Sequence, residues 1–293
     1  RIPRKTGRVG LGYLLNSHGC IKAEATLANL PDGRIWYGSA AASEFHDLDW
    51  LYDHAPSNIT MKSLTNDMTI LVLAGPKARA VLSDVSRGDW SATAFPWLSV
   101  RSAYIGIAPA TVMAVSFSGE LAYELHIPNA SLFAAYRAVR AAGKAHGLTL
   151  FGARAIESMR LEKGYRHWKS DLITEFDPFE SGLDRFVHMD KPQFVGKDAL
   201  MKRQVNPSSK TFVTLVLDTD EAPAQPGASV RSHTGIIGTV TSADWGHRVQ
   251  ENLAMAFVDA TDGPIYVDIL GRQVAAKIVA PVRDTPENGN LKQ

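Results

Sequence analysis

The stretch TVMAVSFSGELAYELHI, residues 111–127, reads as a strand, a turn and a strand. Thr111 to Ser116 is a strand, Ser118-Gly119-Glu120 is a turn, and Ala122 to Ile127 is a further strand. So short a connection joins strands antiparallel, because parallel neighbours need a crossover of about a dozen residues or more. The start of the chain repeats the pattern. Leu11 to Leu15 and Ile21 to Leu30 flank the turn Asn16-Ser17-His18-Gly19, and Pro31-Asp32-Gly33 leads to a third strand, Arg34 to Gly38. Helices intervene. Ser43 to His54 carries apolar residues at 45, 48, 51 and 52, with Ser43 as N-cap. Met68 to Ala74 is a buried-strand run, followed by Gly75-Pro76 and a helix from Lys77 to Ser83. Ser131 to His146 is amphipathic and ends at Gly147, and Phe151 to Lys163 is another helix. Hairpin-linked strands among helices predict an α+β fold with mostly antiparallel sheets, not a doubly wound parallel one.

The texture changes after Gln204. Asn206-Pro207-Ser208-Ser209 reads as a linker. Beyond it the strand-like runs Phe212–Leu217, Gly238–Thr241, Ala254–Val258, Ile265–Ile269 and Gln273–Ile278 are spaced by Gly, Pro and Asp turns. They predict a small all-β domain, barrel or sandwich. The expected division is 1–205 and 206–293, with a loose polar tail from Asp284 to Gln293.

With 293 residues, 45% hydrophobic and 21% charged, the chain suits one or two globular domains. A net charge of +1 gives no global pull toward nucleic acid or membrane. No apolar run reaches about 18 residues. The basic start turns apolar but is broken by Gly10, Gly12 and Asn16, so it reads as the approach to a strand, not a signal peptide. A single cysteine, Cys20, excludes a disulfide framework and a Cys-based zinc site. It fits a reducing compartment: cytoplasm, or the mitochondrial matrix in a eukaryote. His18 and His46 are too isolated to suggest metal ligation, and His167 and His188 read as surface or supporting residues. Without a cysteine–histidine motif, Cys20 reads as a small strand residue.

Six stretches occur together and in order: GRVGLGYLLNSHGCIKAE (7–24), LAGPKARAVL (73–82), FSGELAYEL (117–125), MRLEKGYRHWKSDL (159–172), PFESGLDRFVHMDKPQFVGKDAL (178–200) and AKIVAPVRDTPEN (276–288). The chain thereby resembles the aminomethyltransferase family, the T-protein of the glycine cleavage system and its relatives. The wording RLEKGYRHW and GLDRFV is most similar to the folate half fused to flavin-dependent dimethylglycine and sarcosine dehydrogenases. The resemblance implies a folate-binding domain followed by a C-terminal β-barrel, with tetrahydrofolate as cofactor. No G-x-G-x-x-G follows a strand, so FAD is expected only in an N-terminal half outside this sequence, in cis or as a separate subunit. The family's opening strand and GPDA-like turn are also expected before Arg1.

The resemblance also implies site residues. Glu124 matches the family's pterin-binding glutamate; a carboxylate accepts paired hydrogen bonds from the pterin edge. Alternation puts Tyr123 and Leu125 on the opposite face. Phe117 stands where the T-protein has a tyrosine near the pterin, and is either a ring against the ligand or a core aromatic. Tyr165 matches a folate-contacting tyrosine, while Trp168 reads as a core aromatic. Glu24 replaces the aspartate that lies near N10 and N5 of folate, with Ala23 in place of the preceding aspartate. As the catalytic candidate it could orient the folate amine, accept its proton or stabilise a developing cation. It is one methylene longer, and a misplacement of about 1 Å costs around a hundredfold. The family's lipoyl-facing arginine falls at Ile156, with Arg154 two residues off, so no lipoyl carrier protein is expected. Lys163-Gly164-Tyr165 lacks the cysteine of the iron–sulfur assembly branch. The implied function is capture of a one-carbon unit from oxidation of a small N-methyl amine as 5,10-methylenetetrahydrofolate. The alternatives are a stand-alone folate-dependent aminomethyl- or methyltransferase, and a non-catalytic folate-binding module.

Overall fold

Strands β1 (Arg8–Leu15), β2 (Ile21–Asn29) and β3 (Ile35–Gly38) form one sheet in that order. The computed structural model describes residues 1–292. Asn16 sets the first turn: its Oδ1 accepts the backbone N–H groups of His18 and Cys20, each at 3.0 Å, and Gly19 takes φ +81°. An asparagine side chain mimics a backbone turn here, and glycine supplies the positive φ without a Cβ clash. The next element is α1 (Glu44–His54); Ser43 stands at its N-cap, but makes no side-chain capping bond.

The second sheet is built from β4 (Met68–Ala74), β5 (Val100–Ile105), β6 (Ala108–Met113) and β7 (Ala122–Pro128), with α2 (Ala78–Val85) and α3 (Leu132–Gly143) packed on it. Its order is β4-β7-β6-β5, antiparallel throughout. Leu73, Tyr123, Leu125 and Ile127 bury against Val81, Leu82, Ala135 and Val139. Each buried Leu, Ile or Val among them contributes about 1.5–3 kcal/mol. Burying positions 123, 125 and 127 turns Glu124 and His126 to the other face.

Thr111 to Ser116 is only partly strand. The ladder stops at Met113, because Ala114 bonds instead to the backbone of Leu98 and Ser99 at 2.8 Å. The connection to β7 is therefore longer than a hairpin turn, although the pairing is antiparallel. The sequence reading also lacks β5. Arg101 and Ser102 hide its apolar pattern, Pro109 disguises its partner, and Gly106 at φ +60° makes the return between them.

Two further helices, α4 (Ala153–Glu162) and α5 (Lys197–Val205), precede β8 (Lys210–Leu217), β9 (Ser229–Ser232), β10 (Gly235–Gly246), β11 (Glu251–Asp259), β12 (Ile265–Ile269) and β13 (Arg272–Val279). The sequence hides α5 because Leu200 is its one buried residue, and β9 because it is only 4 residues long. The six strands close into a barrel, not a sandwich, in the order β10-β11-β8-β13-β12-β9. Leu215, Val230, Val240, Ala254 and Val267 fill it. Leu161 of α4 packs on Leu253 and Met255. Gly164 ends that helix at φ +69°, where a Cβ would lie 2.4 Å from the Pro281 carbonyl oxygen.

The chain divides into a first unit, Arg1–Gly12 with Ala25–Phe151 and the end from Asn288, and a second, Tyr13–Glu24 with Gly152–Glu287. The expected loose tail is held down. In the second unit Arg248 pairs with Asp284 at 3.0 Å and the Lys163 Nζ donates to the Thr285 carbonyl at 2.5 Å. In the first, Leu291 is buried. Gln293 lies outside the described residues. No described helix is long and apolar enough to cross a membrane.

Candidate functional site

Alternation along β2 buries Ile21, Ala23 and Ala25 and leaves Glu24 on the other face. The Tyr13 hydroxyl, from β1, donates to Glu24 Oε1 at 3.0 Å. Tyr13 is itself fixed edge-on against Phe186, with ring centroids 5.3 Å apart. Arg166 lies in the same charge environment. Its guanidinium stacks 4.7 Å from the Phe212 ring, and its buried Nε has no hydrogen-bond partner. Gly182 lets it approach: a Cβ there would meet Arg166 Nη2 at 2.9 Å.

This environment changes the acid–base chemistry. Burial pushes the Glu24 carboxyl up to about 7; the Tyr13 hydroxyl and Arg166 pull it down, and Asp171 pushes it up. Burial first, then the negative Glu24, drives the Tyr13 phenol far above the usual tyrosine range. Burial lowers Arg166.

A buried ion pair shapes the loop that carries Tyr165 and Arg166. Arg160, fully buried on α4, donates to Asp171 Oδ2 at 2.5 Å and to the Tyr165 carbonyl at 2.9 Å, and also pairs with Glu157. Asp171 further accepts the hydroxyls of Thr241 at 2.5 Å and Ser242 at 2.6 Å, and the His167 N–H at 2.8 Å. The carboxylate is thus satisfied inside the protein, as a buried charge must be. Tyr165 is half-buried, and burial raises its phenol. Trp168 is a core aromatic, packed with Leu15, Ile21 and Leu172.

Glu124 belongs to the first unit. Its neighbours Tyr123 and Leu125 are fully buried, while its own side chain is 33% exposed. His126 Nε2 lies 3.0 Å from Glu124 Oε2, and the His126 ring packs on Trp36 at 5.5 Å. Phe117, on the loop before β7, is exposed and outside the core. Glu24 and Tyr165 therefore fall in the second unit, and Phe117 and Glu124 in the first.

Sequence reasoning missed Tyr13, Arg166, Arg160 and Asp171. Three of them stand inside MRLEKGYRHWKSDL, where a charge-rich helix end was the available signal. His167 Nδ1 lies 3.2 Å from the Ser170 hydroxyl. Burial raises the Cys20 thiol, whose Sγ lies 3.7 Å from the Glu175 carbonyl oxygen. Among the described residues no group of three or more His, Cys, Asp or Glu side chains is placed to hold a metal.

An antiparallel α+β layer followed by a closed six-stranded barrel defines the aminomethyltransferase class of fold. The chain belongs to the glycine cleavage T-protein family: residues 1–191 match the GCVT N-terminal domain, and residues 210–283 match the glycine cleavage T-protein C-terminal barrel domain. It is 30% identical to human mitochondrial dimethylglycine dehydrogenase, over 94% of this chain and 32% of that protein. It is 29% identical to human mitochondrial sarcosine dehydrogenase, over 92% of this chain and 31% of that protein. The chain thus spans about a third of the length of these curated relatives. It is 32% identical to the aminomethyltransferase of Chlorobaculum parvum, over 85% of this chain and 73% of that protein. The crystal structure of glycine cleavage system aminomethyltransferase T from Bartonella henselae has the same fold, with TM-score 0.82 at 22% identity, covering 96% of this chain and 76% of that one.

Proposed function

We propose that this chain is the tetrahydrofolate-handling part of a flavin-dependent N-methyl amine dehydrogenase, and captures a one-carbon unit as 5,10-methylenetetrahydrofolate. The observation that carries the reading is Glu24, a half-buried carboxyl raised toward neutrality by desolvation. A group that titrates near the working pH suits proton transfer. Similarity to dimethylglycine and sarcosine dehydrogenases over more than nine-tenths of this chain supports the amine class. FAD belongs, in this proposal, to a separate half, joined in cis or as a subunit.

Taken one by one, the candidate residues have side-chain chemistry that suits folate. Bound tetrahydrofolate supplies the amine nitrogens that take up the carbon. Forming a C–N bond at such an amine releases one proton, and Glu24 in its carboxylate form accepts it. Glu124 accepts N–H bonds from a pterin edge through Oε1, while His126 engages Oε2. Tyr165 and Phe117 offer ring faces. Ile156, in place of an arginine, leaves no cationic handle at that helix position for a lipoyl carrier protein. The domain division 1–205 and 206–293 and a reducing compartment, cytoplasm or mitochondrial matrix, go with this reading. The 73% coverage of an aminomethyltransferase supports a second reading, a stand-alone folate-dependent transferase.

Calorimetry with tetrahydrofolate tests both readings, since a chain that does not bind it overturns each. Glu24→Gln should keep folate affinity within a few-fold and lower carbon capture by about a hundredfold or more. Unchanged capture removes Glu24 from the chemistry.

A further inference from the structure

We propose that Tyr13 is the positioning residue for Glu24: its hydroxyl occupies Oε1 and so makes Oε2 the one oxygen that takes up and returns the proton. The inference rests on the functional reading above and adds the reacting atom to it.

Glu24 has three side-chain torsions, and a free carboxylate would exchange its two oxygens by rotation. The Tyr13 hydroxyl at 3.0 Å from Oε1 removes that freedom. Tyr13 cannot follow a swinging carboxylate, because its ring is fixed edge-on to Phe186 at 5.3 Å. Its phenol titrates far above neutrality, so it stays a donor, and Oε1 stays an acceptor at every working pH. A proton that binds Glu24 therefore goes to Oε2. Among the described residues Oε2 takes no hydrogen bond, yet it is not one of the fully buried orphan atoms, so it stays reachable. The other charged groups around the pair are Arg166, which acts on both, Asp171, which acts on Glu24, and Arg185, which acts on Tyr13. None of them donates a hydrogen bond to Glu24; the phenol alone fixes its orientation.

The test uses the whole chain, labelled with carbon-13 at the glutamate carboxyl and titrated by NMR without ligand. Tyr13→Phe keeps the ring against Phe186 and removes only the hydroxyl. The Glu24 titration should move up by about one unit, because a hydrogen bond to the charged form is lost. Site-specific 3-fluorotyrosine at position 13, a stronger donor, should move it down. The same Tyr13→Phe protein should lose about tenfold in kcat for carbon capture, with KM for tetrahydrofolate unchanged. A Glu24 titration unmoved by Tyr13→Phe overturns the proposal. So does a titration that moves while kcat stays unchanged. A Glu24→Gln protein that still captures carbon instead overturns the functional reading, while the Glu24 titration continues to report on Tyr13 by itself.

Discussion

Glu24 on β2 and Glu124 on β7 look alike in sequence: each is a polar residue flanked by apolar ones on a strand. Their surroundings differ. Glu124 is a third exposed and has an imidazole beside it. Glu24 is held by a phenol and feels the charge of Arg166, whose buried Nε has no hydrogen-bond partner among the described residues. A partly hydrated carboxylate is a binding group, because its lone pairs are open to a ligand. One raised toward neutrality by desolvation is a proton-transfer group. The comparison teaches that the role of a strand glutamate is set by what faces it, not by its own alternation.

The comparison can be broken most strongly beneath Glu24. Asp171→Ala removes the fully buried partner of Arg160 and leaves only the part-exposed Glu157 as its counter-charge, and should destabilise the protein by about 3–5 kcal/mol in denaturant titration. A loss below about 1 kcal/mol would mean that the pair does not hold the loop carrying Tyr165 and Arg166. Next in size is the linkage of Glu24 to pH. A carboxyl raised from 4.5 to about 7 binds more protons folded than unfolded in that window, so stability falls as pH rises through it. Glu24→Gln should therefore stabilise the protein by about 2–3 kcal/mol at pH 8, and by little at pH 5. Equal effects at both pH values would contradict the buried environment. Carbon capture should correspondingly rise with an acid limb near pH 7, as the carboxylate form appears.

Glu124→Gln sharpens the other side. It should weaken tetrahydrofolate binding by about 10–100-fold, as a charged hydrogen-bond acceptor is lost. Stability should change by no more than about 0.5 kcal/mol, because the group is partly hydrated. Unchanged affinity removes Glu124 from the pterin site. The smallest effect belongs to the Glu124–His126 pair. A double-mutant cycle should give below about 1 kcal/mol, falling with added salt.

Much of the fold was legible. Met68–Ala74 and Ile265–Ile269 have the bounds their apolar runs suggest, because turn residues abut both ends. The hidden elements have physical reasons: β5 carries polar residues within its strand, and α5 buries a single side chain. For the site, the alternation that exposes Glu124 was readable from Tyr123 and Leu125 alone. Tyr13 was not. The first hairpin was evident, but its side-chain partners depend on strand geometry that the turn sequence leaves open. The Arg160–Asp171 pair was equally hidden, since a buried ion pair and a solvated one have the same letters.

The second unit is assembled from Tyr13–Glu24 and Gly152–Glu287, which the rest of the chain separates. That has a consequence in time. A ribosome adding about 5–20 residues per second makes the Tyr13–Glu24 pair on the order of ten seconds before Arg166 and Asp171 exist. Until then Glu24 is an ordinary hydrated acid. Its unusual titration is acquired late, when the downstream segment closes around it, and a nascent chain stalled short of Arg166 would carry the right residue without its chemistry.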